Sequence, residues 1–187
     1  MNKRLIAILV IAAIVPAMAF ASILQIGPSV TYNKMVFNGE GDASGLKDIS
    51  NYGFGADVRL NVYFLQVDAI GTYSKGADNS HIISTTPTAN LLLKLGPIDL
   101  TAGIGPKLDF KRDSAGKWTM NGQDINNFGD SFMHAKLAYR AGVTANMGLI
   151  GLGVSYTVPT EGTFSNFKAM PDFKSGTFGV SVLFNLF

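Results

Sequence analysis

Two histidines are where catalysis would begin in this chain. His81 follows Ser80, and Asp78 lies three residues before it. These are the residue types of an acyl-transfer triad, in which a base takes the nucleophile's proton and a carboxylate orients the base. The trio lies in a polar run of turn residues, where nothing fixes the imidazole. His134 shares a face with Lys136 and has no serine two residues on. Three Gly-x-Gly pairs (Gly53/Gly55, Gly103/Gly105, Gly151/Gly153) lack the following helix that a phosphate loop needs. Asp113, Asp124 and Asp130 with Asn126 and Asn127 offer oxygen ligands, but their spacing matches no calcium motif. The expectation is therefore no catalytic, cofactor-binding or metal-binding residue, and no enzyme.

The chemistry that remains is electrostatic. Asp57, Arg59, Asp68, Lys94, Asp99, Lys107, Asp109, Lys136 and Arg140 share the polar face of extended segments, five basic groups against four acidic. Confined together they should pair, because a desolvated charge without a partner is costly. Tight turns would set Lys94 directly across from Asp99 and Arg59 diagonal to Asp68. The set reads as a polar plug. A gate or a narrow charge-lined channel is the alternative.

These residues need strands to hold them. In residues 52–64, Tyr52, Phe54, Ala56, Val58, Leu60, Val62 and Phe64 alternate with Gly53, Gly55, Asp57, Arg59, Asn61 and Tyr63. Period two means a strand with two unlike faces, and residues 65–73 repeat it after a tight turn. The pattern recurs at about 23–35, 87–95, 98–110, 132–146, 150–158 and 174–187, giving eight long strands. Pro28 should sit where one ladder bond can be spared. Tight turns near 64–65, 96–97 and 147–148 alternate with long loops at about 36–51, 74–86, 111–131 and 159–173. Asn121-Gly122 in the longest loop is able to turn a short hairpin, and Trp118 with Met120 there would meet the barrel mouth, headgroups or a partner. An even-stranded antiparallel meander with short turns at one end and long loops at the other is an up-and-down transmembrane β-barrel pattern. The fold class is all-β, eight-stranded.

Composition decides which face is outside. Only 15% of residues are charged, well below the roughly 25% of soluble domains. Glutamate occurs only as Glu40 and Glu161, both in loops, so the polar face is not built for bulk water. Glycine on that face makes room in a narrow lumen. Aromatic residues gather near strand ends, as interface girdles do. A soluble exported ligand-binding barrel, with the pattern turned inward, is the outside alternative. Residues 1–21 read as a cleaved signal peptide, with Lys3 and Arg4 before an apolar core and small residues after Pro16, leaving 22–187 as the barrel. There is no cysteine, and without Lys3 and Arg4 the charge is neutral. No basic stretch supports nucleic-acid binding.

With signal, strand count and a terminal Phe187, the chain resembles the small eight-stranded outer-membrane proteins of the OmpA-barrel, OmpX and OmpW type. The resemblance implies an outer membrane of a diderm, Gram-negative-type bacterium. It also implies lipid contact, delivery by periplasmic chaperones, and an assembly signal at Phe184, Leu186 and Phe187 read by the barrel-assembly machinery. Asn185 departs from the apolar residue preferred there. The chain is expected to be a monomer with a structural or surface-interaction role carried by its loops, their partner unnamed. An OmpW-like conduit for small or apolar solutes is the alternative, with inward Ile70 and Leu92 allowing an apolar patch. A lipid-modifying enzyme ranks below both.

Overall fold

The computed structural model describes residues 23–33, 46–76 and 80–186. The signal segment, most of the first long loop, Asp78 and Phe187 lie outside the described residues. The strands are β1 (Leu24–Tyr32), β2 (Tyr52–Val62), β3 (Leu65–Lys75), β4 (His81–Leu95) and β5 (Ile98–Arg112), then the short β6 (Trp118–Met120) and β7 (Gln123–Asp124). After a six-residue helix α1 (Phe128–Met133) come β8 (Lys136–Met147), β9 (Ile150–Thr163) and β10 (Thr177–Asn185). β1 to β5 pair in order, β5 pairs β8, and β10 returns to β1, all antiparallel. Eight strands thus close a barrel with no free edge. Both ends of the described barrel chain, β1's start and β10's finish, lie at the short-turn end, where Gln25 faces Asn185.

The alternation turns the barrel inside out relative to a soluble one. Leu93 is 54% exposed and Leu152 47%, while Asp57 is fully buried and Gln66 is 1% exposed. Only a hydrocarbon surround makes that favourable, since exposed apolar area costs about 25 cal/mol per Å² in water. The molecule is a transmembrane barrel. Among the described residues no helix is long and apolar enough to cross a membrane; the strands do so. Tyr52, Tyr32, Phe178 and Tyr156 are successive register partners across β2, β1, β10 and β9. They form an unbroken aromatic row at the loop end, with ring centroids 5.2 Å apart for Tyr32–Tyr52 and 4.6 Å for Tyr156–Phe178.

Prolines fall where the ladder is interrupted. The β4–β5 register passes from Thr85↔Leu108 to Ala89↔Ile104, and both Pro87 and Pro106 lie in the gap. The β1–β10 register skips Gly27 and Pro28. A proline has no amide hydrogen to contribute, so the missing bonds cost nothing there.

Several strand limits differ from the sequence expectation. The segment at 74–86, expected as loop, is mostly strand, with β3 reaching Lys75 and β4 starting at His81. Its β-branched run Ile82, Ile83, Thr85 and Thr86 suits a pleated surface. β9 likewise extends through Thr163. Residues 132–135, expected to open a strand, instead end α1 and lead into β8. The Asn127 side chain caps that helix by accepting from the Asp130 amide at 3.2 Å, the usual service of an N-terminal Asn. Lys174 belongs to a helical turn, Phe173–Ser175, before β10. In the longest loop, Asn121 (φ 52°) and Gly122 (φ 80°) do turn the β6–β7 hairpin.

Candidate functional site

The lumen is filled in layers from the short-turn end upward. The lowest is a chain of amides. Gln66 Nε2 donates to Asn61 Oδ1 at 2.8 Å, and Asn61 Nδ2 donates to Gln25 Oε1 at 3.4 Å. Gln25 Nε2 donates to Asn146 Oδ1 at 3.0 Å and to Asn185 Oδ1 at 2.7 Å. Asn146 Nδ2 then donates to Asp99 Oδ2 at 2.8 Å. Asn185, where an apolar residue is preferred by the resemblance, points inward and completes this floor. Apart from Asn185, sequence reasoning did not single out these amides, although Asn61, Gln66 and Asn146 lie on the polar phase next to tight turns.

Above the floor Arg59 and Asp57 interlock. Arg59 Nη2 meets Asp57 Oδ2 at 2.7 Å, and its Nε donates to both carboxylate oxygens at 3.1 Å. Arg59 Nη1 donates to Thr144 Oγ1 at 2.6 Å, and Asp57 Oδ2 accepts from Ser181 Oγ at 2.7 Å. Gly153 makes the room: a Cβ there would lie 2.7 Å from Arg59 Nη2. The next layer is Asp68, which takes Arg140 Nη1 at 3.1 Å and the Thr88 hydroxyl. Asn90 Nδ2 donates to Thr88 Oγ1 at 3.1 Å.

Register accounts for only part of this pairing. The two-residue turn at Tyr63-Phe64, with Tyr63 at φ 54°, puts Arg59 directly opposite Asp68 rather than diagonal to it. Even so, Arg59 turns to Asp57, and Asp68 reaches across the lumen to β8. Lys94 does lie opposite Asp99, but the Asp99 carboxylate is held by Asn146. Of the nine charges on the polar face, Asp57, Arg59, Asp68, Asp99 and Arg140 are buried, whereas Lys94, Lys107, Asp109 and Lys136 are half-buried. Ile70 and Leu92 do point inward, at 7% and 6% exposure.

Above Arg140 the packing stops and a cavity of about 810 Å³ opens toward the long loops. Lys75, Lys107, Lys111, Lys136, Lys174 and Asp109 line it, together with Thr31, Thr72 and Ser74. Asp109 accepts from Ser84 Oγ at 2.6 Å and meets Lys107 at 3.5 Å. Part of the rim is the β6–β7 hairpin. Asn121 N donates to Asp109 O at 2.8 Å, and Asn121 Nδ2 donates to Ser131 O at 3.0 Å. Met120 is wholly buried beneath it, and Trp118, opposite Arg112, is half-buried. Phe132 stacks on Phe164 with centroids 5.4 Å apart, tying α1 to the loop after β9.

The histidines are occupied with structure. His81 Nδ1 lies 2.6 Å from Tyr73 Oη across the β3–β4 ladder. His134 is the C-terminal cap of α1, its Nδ1 2.9 Å from Asp130 O; it does not lie on a strand as expected. The loop acids are used locally. The Asn126 amide, with help from Lys117, holds the Asp124 carboxyl below its ordinary range. The Ser175 hydroxyl does the same for Asp172, aided by the Lys174 amide. Among the described residues no group of three His, Cys, Asp or Glu is placed to hold a metal ion.

No protein-family model and no curated protein sequence matches the chain. Solved structures do match it. The N-terminal β-barrel domain of Pseudomonas aeruginosa OprF aligns with 87% of this chain and 96% of its own, at 9% identity and a TM-score of 0.49. Neisserial surface protein A aligns with 88% of this chain and 98% of its own, at 13% identity and a TM-score of 0.49. Ail, the attachment invasion locus protein of Yersinia pestis, solved with the heparin analogue sucrose octasulfate, aligns over 86% and 92% at 16% identity and a TM-score of 0.41. All three are small eight-stranded outer-membrane barrels. The likeness is one of fold.

Proposed function

We propose that the chain is an integral outer-membrane barrel of a Gram-negative-type bacterium. Its interior is a plug, and its working surface is the loop end. The observation that carries this reading is the layered lumen. The Arg140–Asp68 ion pair, the Arg59–Thr144 bond and a chain of amides cross it from wall to wall, so a solute would have to break several charge-assisted hydrogen bonds to pass. Outer-membrane lipids would cover the apolar belt, and Phe184, Leu186 and Phe187 would serve as the assembly signal, handled by periplasmic chaperones and the assembly machinery. A non-enzymatic role is supported by the histidines, whose ring nitrogens meet Tyr73 Oη and the Asp130 carbonyl in structural contacts.

The test is a current recording on the mature chain refolded in detergent and reconstituted into planar bilayers. Folding is checked first by a mobility difference between boiled and unboiled samples on a gel. The expected outcome is a heat-dependent shift with no discrete conductance steps. Reproducible steps that change with Arg59→Ala or Arg140→Ala would replace the plug with the narrow-channel reading. A chain that dissolves without detergent would remove the membrane assignment altogether.

A further inference from the structure

The loop-end cavity has an electrostatic arrangement that the plug does not explain. Lys107 and Lys136 are register partners across β5 and β8, both on the inward phase. Like charges directly opposite each other destabilise a ladder, and side chains in such a pair start only about 5 Å apart at Cβ. Lys111 continues the same face of β5, and Lys174 stands at the mouth of β10. Among the described lining residues the one carboxylate is Asp109. One of its oxygens is engaged by Ser84 and the other lies 3.5 Å from Lys107. Asp172, near Lys136 and Lys174, spends its oxygens on Ser175 Oγ at 2.7 Å and the Lys174 amide at 3.1 Å. Lys136 has no ion pair among the described residues. Arg140, at the base of the cavity, is already paired with Asp68.

The lining is not charge alone. Thr31, Asn33, Thr72, Ser74 and Thr177 line it with hydroxyls and amides, and Lys75 adds a cation beside Ser74. Clustered cations beside hydroxyls and amides suit a ligand that carries charged esters together with hydroxyl or ester oxygens. A phosphate or sulfate oxygen set between Lys107 and Lys136 would turn their repulsion into two charge-assisted hydrogen bonds.

We propose that this vestibule binds a soluble, multiply charged phosphate- or sulfate-ester compound, with an ester group bridging Lys107 and Lys136. The proposal rests on the barrel but not on the closed floor beneath it, so a conducting barrel would leave it standing. A soluble ligand fits better than a lipid headgroup because the cationic side chains face inward, away from the apolar belt that lipid would contact.

Tripolyphosphate titrated into the refolded protein in a zwitterionic detergent is the test. Heat of binding is followed by calorimetry, and the environment of the single tryptophan, Trp118, by fluorescence. Thr119, beside it, lines the cavity. Saturable binding that weakens at least tenfold in K107Q/K136Q, and steeply with added salt, is expected. K168Q, an exposed lysine outside the cavity, should bind as the parent does. The double variant must keep the heat-dependent gel shift; if it does not, K136Q alone is measured, with a severalfold loss expected. No saturation, or equal affinity in the parent and the shifted variant, would overturn the site. If tripolyphosphate is silent while phosphorylated lipid in mixed micelles changes the fluorescence, the soluble-ligand proposal fails and a headgroup takes its place.

Discussion

Replacing Asp57 with alanine is expected to cost the folded barrel about 3–5 kcal/mol, read as a lowered urea midpoint in phospholipid vesicles. Asp57 is fully buried and supplies all the negative charge that touches Arg59. Without it the guanidinium keeps Thr144 and loses its one carboxylate contact among the described residues. Asp68, its opposite number in the ladder, is already committed to Arg140. Of the two buried guanidiniums, Arg140 alone would then keep a carboxylate at ion-pair distance among the described residues. Removing a partner from a buried pair is expensive because of the charge left behind, not because of the bond lost. The double change Asp57→Ala with Arg59→Met should therefore recover much of the loss. If the single variant costs less than about 1 kcal/mol, a typical net hydrogen bond, this layer is not the closure assigned to it. A double variant worse than the single would show that packing, rather than charge, dominates.

Alternation made the barrel legible. Strand count, the tight turns and the outward apolar face all follow from period two and from a polar phase poor in Lys and Glu. The loop-side strand ends were less legible. Above the membrane interface the outer face of a strand meets water, so the apolar marker fades while the ladder continues, as in residues 80–86. The expected strand at Phe132 failed for a local reason: Asn127 and Asp130 form a helix cap there, which a scan for alternation passes over.

The lumen was legible as a list of charges but not as pairs. Hairpin register can be counted from a turn, and Lys94 opposite Asp99 was found that way. Who meets whom across the lumen depends on the stagger of the closed barrel, which no local pattern encodes. Asp68 and Arg140 are 72 residues apart in the chain. The same stagger sorts the nine charges into a packed interior and an open vestibule. The floor escaped because Gln25, Asn61, Gln66 and Asn146 carry no charge, and amides draw little notice in a face already called polar; Asn185 was noticed only as a departure from the resemblance.

Glycine is where the barrel's curvature is written most directly, and Gly105→Ala is the second change with a large expected effect. A Cβ at Gly105 would stand 1.8 Å from the carbonyl oxygen of Pro87 on β4, and one at Gly27 or Gly55 would meet Val182 O or Gly71 O at 1.8 or 1.9 Å. The obstacle in each case is backbone, which cannot swing aside as a side chain can. An eight-stranded barrel is narrow, and its inward positions crowd where a strand bends. At Gly105 the neighbouring ladder is already interrupted by Pro87 and Pro106, so one methyl would force two strands apart with few bonds to hold them. A loss of about 3 kcal/mol or more is expected, at or above the upper end for overpacking, with a reduced yield of the heat-shifted form. Gly71→Ala is the matched control: nothing lies within 4 Å of its Cβ position, and it should stay within about 0.5 kcal/mol of the parent, as open surface sites do. Equal stability for the two variants would mean that the strands relax apart freely, and that the glycines on the inward face are there for some reason other than room.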